Sequence, residues 1–251
     1  MNGSFDGQRV GTFGDVGIYS SSSIKTLDTL GGGLTTTSDT AMYNALKKSQ
    51  ADLSPADRKF LFKKAWVNLV RNVATTRRVY SLAVFPLLQI MRKANPESTL
   101  KQTGSRNKDR VAKLPKVWFS SYSSLQADIG LSHIDDVAAN DQIRIDNANY
   151  LKAQCGLDKF PKTTQSSGNV YWQLIMLQDP QIAQEVFARH GIDTATTSLE
   201  LVSALEQYPN KSAMPVAERY YFKGIFLPCF PGLNKADLDR VVAATNELTG
   251  K

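Results

Sequence analysis

The chain has 251 residues, 42% of them hydrophobic, and a net charge of +7, so a real core can form as two modest domains or one large one. Its two cysteines, Cys155 and Cys229, lie far apart and outside any C-x-x-C pair, which argues against a disulfide framework or a cysteine metal site and fits a reducing cytoplasm. His133 and His190 stand alone, so no metal is expected, and the polar, glycine-rich first residues do not read as a signal peptide.

In chain order, Asp6-Gly7 reads as a tight hairpin turn. The stretch from Gly11 to Thr37 follows, GTFGDVGIYSSSSIKTLDTLGGGLTTT. A lone lysine, Lys25, comes after the serines Ser20 to Ser23 and before the glycines Gly31 to Gly33. A lysine amine forms a Schiff base with an aldehyde, and pyridoxal phosphate is the commonest aldehyde cofactor. Neighbouring hydroxyls can hold a phosphate without adding a competing amine, and glycines let the backbone turn sharply or approach a flat ring. The plain alternative is a solvated serine loop followed by a turn.

Ser54-Pro55-Ala56-Asp57 reads as a helix start. The helix that follows sets Phe62, Trp66, Leu69, Val70 and Val73 on one face, with Lys63, Lys64 and Arg71 at its margins. A second apolar stretch, Val79 to Met91, contains Pro86, which is expected to bend or break it. At 13 residues it is too short to span a bilayer. Between Arg58 and Lys116 there are 15 basic residues against the acids Glu97 and Asp109, so this segment carries +13 and the remainder −6. Two readings stand for it. Either these are core helices with a solvated charged face, or the pair lies on an anionic membrane surface with its cations on head groups. Nucleic acid is not expected, because the aromatics sit on the apolar face and not between basic residues. The polar, basic run from Asn95 to Lys116 reads as a loop.

Further on, Leu125, Ile129, Leu131, Ile134 and Val137 form a stripe that predicts one long helix ending near Gly156. Val170 to Leu177 is β-rich, Gln181 to His190 is helical, and Gly224 to Leu227 is a short strand. His190 is expected to cap carbonyls at its helix end. Asn234 caps a last helix with Leu238, Val241, Val242 and Leu248 inward. That order fits a small α/β domain.

The segment around Lys25 resembles the lysine region of the DegT-type sugar aminotransferases, G-x-x-G-D-x-G-x-(F/Y)-S-x-x-x-x-K followed by glycines and a threonine-rich strand. Gly11, Gly14, Asp15, Gly17, Tyr19, Ser20 and Lys25 fall in register. SLQADIGLSHIDDV resembles the family's L-Q-A-A-I-G-L-x-Q-L helix, and both Gly191-Ile192-Asp193 and the run Leu227 to Leu233 have counterparts there. The likeness covers nearly the whole chain except Asp39 to Lys116.

The resemblance implies an α/β protein, the C-terminal part of a fold-type I pyridoxal-phosphate transferase: a remnant of the large domain plus a small α/β domain, with a helical basic insertion. The expected domains are a cofactor-lysine segment (1–38), the helical basic insertion (39–116), a long helix returning to the large domain (117–155) and the small C-terminal α/β domain (156–251). Lys25 would be catalytic, holding pyridoxal phosphate and shuttling a proton, and Ser20 would be a phosphate ligand. Lys25 also argues against the dehydratase relatives, which have histidine there.

The implied activity is transamination of a nucleotide-linked ketosugar, with an amino-acid donor, in polysaccharide or surface-glycan biosynthesis. The chain is expected to be a homodimer in the cytoplasm, with a peripheral place at the inner membrane if residues 58–116 bind anionic lipid. Where the family has an asparagine and an arginine before its L-Q-A helix, this chain offers Phe119 and Ser121, with Ser120, Ser123 or Ser124 as substitutes, which puts the cross-subunit phosphate contact in doubt. The helix N-terminus, stacking ring and pyridine-pairing aspartate of the family would lie before Met1. The chain alone is therefore expected to bind the cofactor weakly, and a non-catalytic interaction module is the alternative.

Overall fold

The computed structural model describes residues 2–94, 113–161, 167–197, 201–204 and 214–250. They form β1 (Ser4–Phe5), β2 (Gln8–Arg9), β3 (Gly17–Ser20), β4 (Gly33–Thr36), α1 (Thr40–Ala51), α2 (Arg58–Ala74) and α3 (Phe85–Ala94). These are followed by α4 (Ser124–His133), α5 (Asp136–Cys155), β5 (Ser167–Gly168), β6 (Leu174–Leu177) and α6 (Pro180–Arg189). The order closes with β7 (Ala195–Thr196), α7 (Pro215–Lys223), β8 (Gly224–Leu227) and α8 (Lys235–Thr249). Most of the Asn95–Lys116 run expected to be a loop lies outside the described residues. No described helix is long and apolar enough to cross a membrane.

By compactness the chain divides into two units. The first comprises Met1–Thr76, Asp109–Ile143 and Thr164–Val170. Here Phe5 pairs with Gln8 across Asp6-Gly7, and both turn residues have positive φ (48° and 79°), as a two-residue hairpin that follows the strand twist requires. β1 also pairs with β5, and β3 pairs with β4, all antiparallel.

Helix α2 starts one residue after its cap, Asp57, which accepts from the Lys59 amide, while Ser54 instead bridges to Ser120. Its expected inner face is turned outward: Phe62, Trp66, Leu69, Val70 and Val73 are all more than half exposed. The buried residues are Leu61 and Asn68, two helical turns apart on one stripe, because Asn68 and Arg71 both reach the carboxylate of Asp28. The expected single helix after Lys116 is two, α4 and α5. In its stripe Leu125, Leu131 and Ile134 are exposed and only Val137 is buried. The buried residue of α4 is Gln126, which completes a capping box with Ser123 and donates to the Gly31 carbonyl.

The second unit comprises Arg77–Lys108, Arg144–Thr163 and Tyr171–Lys251. β8 is the central strand of a three-stranded sheet, antiparallel to β6 and β7. Leu174 and Met176 alternate into a core with Ile225 and Leu227 of β8, Ala183, Val186 and Phe187 of α6, and Leu238, Val241 and Ala244 of α8. Leu151 and Cys155 of α5 complete it. Asn234 and Asp237 form the expected cap of α8, reciprocally bonded. The strand expected over 170–177 is confined to its last four residues.

The basic segment falls in both units, with α2 in the first and the run from Arg77 in the second. Pro86 does not break that run. Residues Tyr80–Val84 form a π-helical turn, closed by the Phe85 amide donating to the Tyr80 carbonyl, and α3 continues through the proline. The wider turn absorbs the missing proline N–H and its ring.

Candidate functional site around Lys25

Lys25 lies in the 12-residue connection between Ser20 and Gly33, the last register pair of the β3–β4 ladder. The neck of this loop is tied by the Ser21 amide donating to Gly32 O (3.2 Å) and the Thr29 amide donating to Ser21 O (2.9 Å). Thr29 Oγ1 also donates to Ser21 O and to Gly31 O, and accepts from the Tyr122 hydroxyl. Ser21, Leu27, Thr29 and Leu30 are buried, so the loop is a packed structure and not a solvated strap. Gly32 has φ 83° and sits against the Tyr122 ring, where an added Cβ would come within 2.9 Å.

Asp28 is the hub that shapes the turn carrying the lysine. Its Oδ1 accepts from the Leu30 amide (2.9 Å). Its Oδ2 accepts from the Ile24 amide (3.2 Å), Asn68 Nδ2 (3.0 Å) and Arg71 Nη2 (3.2 Å). Ile24, directly before Lys25, is held at φ 70°, a region costly for a β-branched residue. Such strain persists only where surrounding contacts over-determine it. Lys25 is half-buried, and its amide donates to Ser22 O (3.1 Å).

Ser20 is exposed, with its Oγ 3.1 Å from Ser22 Oγ and accepting from the Ser22 amide at 3.4 Å. Both expected site residues are therefore tied to one serine, Ser22. Asp28, Asn68, Thr29 and Tyr122 were not singled out from sequence. Asp28 carried a weak signal as the first residue of an Asx turn onto the residue two positions later. Asn68 carried another, as a polar residue amid apolar ones in Val67-Asn68-Leu69-Val70.

A cavity of about 320 Å³ opens beside the glycine run, lined among others by Gly31, Gly32, Tyr122, Gln126, Ser121 and Lys64. Of the alternative phosphate ligands, Ser120 lines it, Ser123 is spent on the cap of α4 and Ser124 is the exposed first residue of that helix; Ser121 also lines the cavity. Phe119 is 52% exposed. Among the described residues no group of histidine, cysteine, aspartate or glutamate is placed to hold a metal ion. His190 stands at the C-cap of α6 as expected, its amide donating to the Phe187 carbonyl (3.1 Å), while its ring meets Glu247 Oε2 at 2.7 Å.

The residues present fit one end of pyridoxal phosphate. By residue type Lys25 would offer an amine for the aldehyde and Ser20 and Ser22 hydroxyls for phosphate oxygens, while the described lining of the 320 Å³ cavity includes none of the three.

Residues 94–246 match the DegT/DnrJ/EryC1/StrS aminotransferase family. No curated protein matches the chain significantly. Among solved structures, a DegT DnrJ EryC1 StrS aminotransferase from Brucella abortus superposes with a TM-score of 0.65 at 16% identity, over 100% of this chain and 55% of its own. S. venezuelae DesV, solved with a ketimine intermediate, gives 0.61 at 18% over 99% and 55%. Spr1654 from Streptococcus pneumoniae in its PLP form gives 0.59 at 16% over 99% and 55%. The chain thus spans little more than half the length of these structures. The likeness shows the fold: a C-terminal portion of the fold-type I pyridoxal-phosphate transferases.

Proposed function

The chain belongs to the DegT/DnrJ/EryC1/StrS aminotransferase family, whose members use pyridoxal phosphate, and on that footing we propose that it carries the lysine half of a sugar transaminase acting on a nucleotide-linked ketosugar. The observation that carries the reading is the Lys25 turn: a half-buried lysine behind a strained Ile24, on a backbone pinned by a four-donor aspartate. Pyridoxal phosphate, when bound, supplies an aldehyde for the amine and a ring that withdraws electrons from the substrate. Lys25 Nζ would hold the aldehyde end and, as a free amine, would serve as the base at the amino donor's α-carbon. Ser20, with Ser22 beside it, binds phosphate oxygens and fixes orientation. Asp28 fixes the backbone that carries Lys25, which narrows the positions its amine can reach.

Association into a dimer is part of the proposal. Ile18, Trp118 and Leu131 in the first unit are each more than 60% exposed, apolar surface that a second subunit would cover. The domain limits of the sequence reading, with the insertion at 39–116, stay part of it as well.

The test is to incubate the full chain with pyridoxal phosphate, reduce with borohydride and map the label. The expected result is label concentrated on Lys25, and none at that peptide in Lys25→Ala. Label spread evenly over surface lysines would overturn the proposal. Because the chain spans little more than half of its relatives' length, affinity is expected to be weak and exchange of the glutamate α-proton slow.

A second reading is favoured by one observation. The apolar face of α2 is outward, Phe62 72% and Trp66 58% exposed, with Lys63 beside it, which suits adsorption to an anionic lipid surface. Sedimentation with anionic vesicles at low salt supports it, and none at any salt concentration ends it.

A further inference from the structure

A cavity of about 670 Å³ in the second unit lies between α3 and α6 and shares no residue with the Lys25 turn. Gln89, Arg92 and Lys93 line one side, and Gln181, Gln184 and Glu185 are among those on the other. The Arg92 side chain is only 14% exposed. Its Nη2 donates to Asp193 Oδ1 at 2.8 Å, while its Nε and Nη1 are buried with no acceptor among the described residues. Gln89 Nε2, on the same helix one turn earlier, is also buried with no acceptor among the described residues. A guanidinium cannot lose its proton, so these are permanent donors, and leaving them unmet in a protein interior is expensive.

Asp193 does not meet the need. Its other oxygen, Oδ2, accepts from the Tyr80 hydroxyl at 2.9 Å. Burial, then the Asp193 charge beside it, pushes that phenol above its ordinary range, so it stays a donor at every physiological pH. Arg189, another lining cation, is engaged by Glu247, and Gln184 spends its amide on the Thr194 carbonyl (3.0 Å). What remains facing the cavity is a surplus of donors with positive charge from Arg92 and Lys93. The acid of the lining, Glu185, is exposed.

We infer that the α3–α6 cavity, with Arg92 and Gln89 at its wall, is a binding site for a small oxyanion, a phosphate or carboxylate group whose oxygens complete the unmet donors. A planar oxyanion suits the guanidinium fork, and Lys93 adds a point charge.

Titration calorimetry on the full chain tests this with inorganic phosphate in one arm and succinate in the other, ionic strength held constant with sodium chloride. Saturable heat is expected with a dissociation constant on the order of 1 mM, as suits one small ion. The stronger arm tells whether a phosphate or a carboxylate is the natural group. Arg92→Lys keeps the charge opposite Asp193 but removes the fork, and is expected to weaken binding about tenfold. Gln89→Leu, which keeps side-chain volume, is expected to weaken it several-fold. Heats no larger than those of chloride in both arms, or binding that survives both substitutions unchanged, would overturn the inference.

Discussion

Asp28 accepts from two backbone amides, one carboxamide and one guanidinium, so its side chain organises a turn that no local propensity would choose. Asp28→Ala leaves Asn68 and Arg71 without their acceptor and releases Ile24, and is expected to cost about 2–3 kcal/mol, read from urea unfolding. Ile24 offers the converse test. With φ at 70°, Ile24→Gly relieves a left-handed backbone and is expected to stabilise by about 1 kcal/mol, while loosening the lysine and reducing the borohydride label at Lys25. Gly32→Ala joins strain to a clash with the Tyr122 ring and is expected to destabilise by about 1–3 kcal/mol. The position of Lys25 was readable because the chemistry lies in a contiguous stretch. Its anchoring was not, since Asn68 and Arg71 come from 40 and 43 residues away.

Among the elements, the Asp6-Gly7 turn and the Asn234 cap were legible because each is fixed by residues two or three apart, where local geometry decides. Helix α2 was legible as a helix but not in its facing. Periodicity finds an apolar stripe, yet here the stripe of Leu61, Asn68 and Arg71 turns inward because its two polar members satisfy a charge. Helix α8 gives a pH prediction. Burial works against the Asp237 carboxylate. The Asn234 amide, Arg240 and Arg77 outweigh it and hold the group below the ordinary aspartate range. A carboxyl lowered in the fold contributes stability at every pH above its unfolded value, and loses it as the pH falls through the folded one. Thermal melting of the second unit is therefore expected to fall below about pH 4. Asp237→Asn should melt lower at neutral pH, with a flatter acid limb; an unchanged acid limb would remove Asp237 as its source.

Across the molecule, burial is uneven. Of the 20 buried apolar residues among those described, 16 form the cluster of the second unit, whereas the first unit holds Leu27, Leu30, Leu61 and Val137 and is secured more by hydrogen bonds. Composition foresaw a core but not its location, because most apolar side chains of residues 58–74, Leu61 apart, count toward the total without being inside. Stability follows buried area, so the two units should open at different free energies. In hydrogen exchange on the full chain, amides of 174–177, 183–187, 225–227 and 238–244 are expected to be the slowest, and those of 17–36 to exchange well before them. Phe187→Ala empties the middle of the cluster and should cost about 3–5 kcal/mol. It should accelerate exchange throughout the slow set while leaving amides of 17–36 at their former rate. Equal protection of both sets, falling together in Phe187→Ala, would show one cooperative core where the buried side chains indicate two unequal ones.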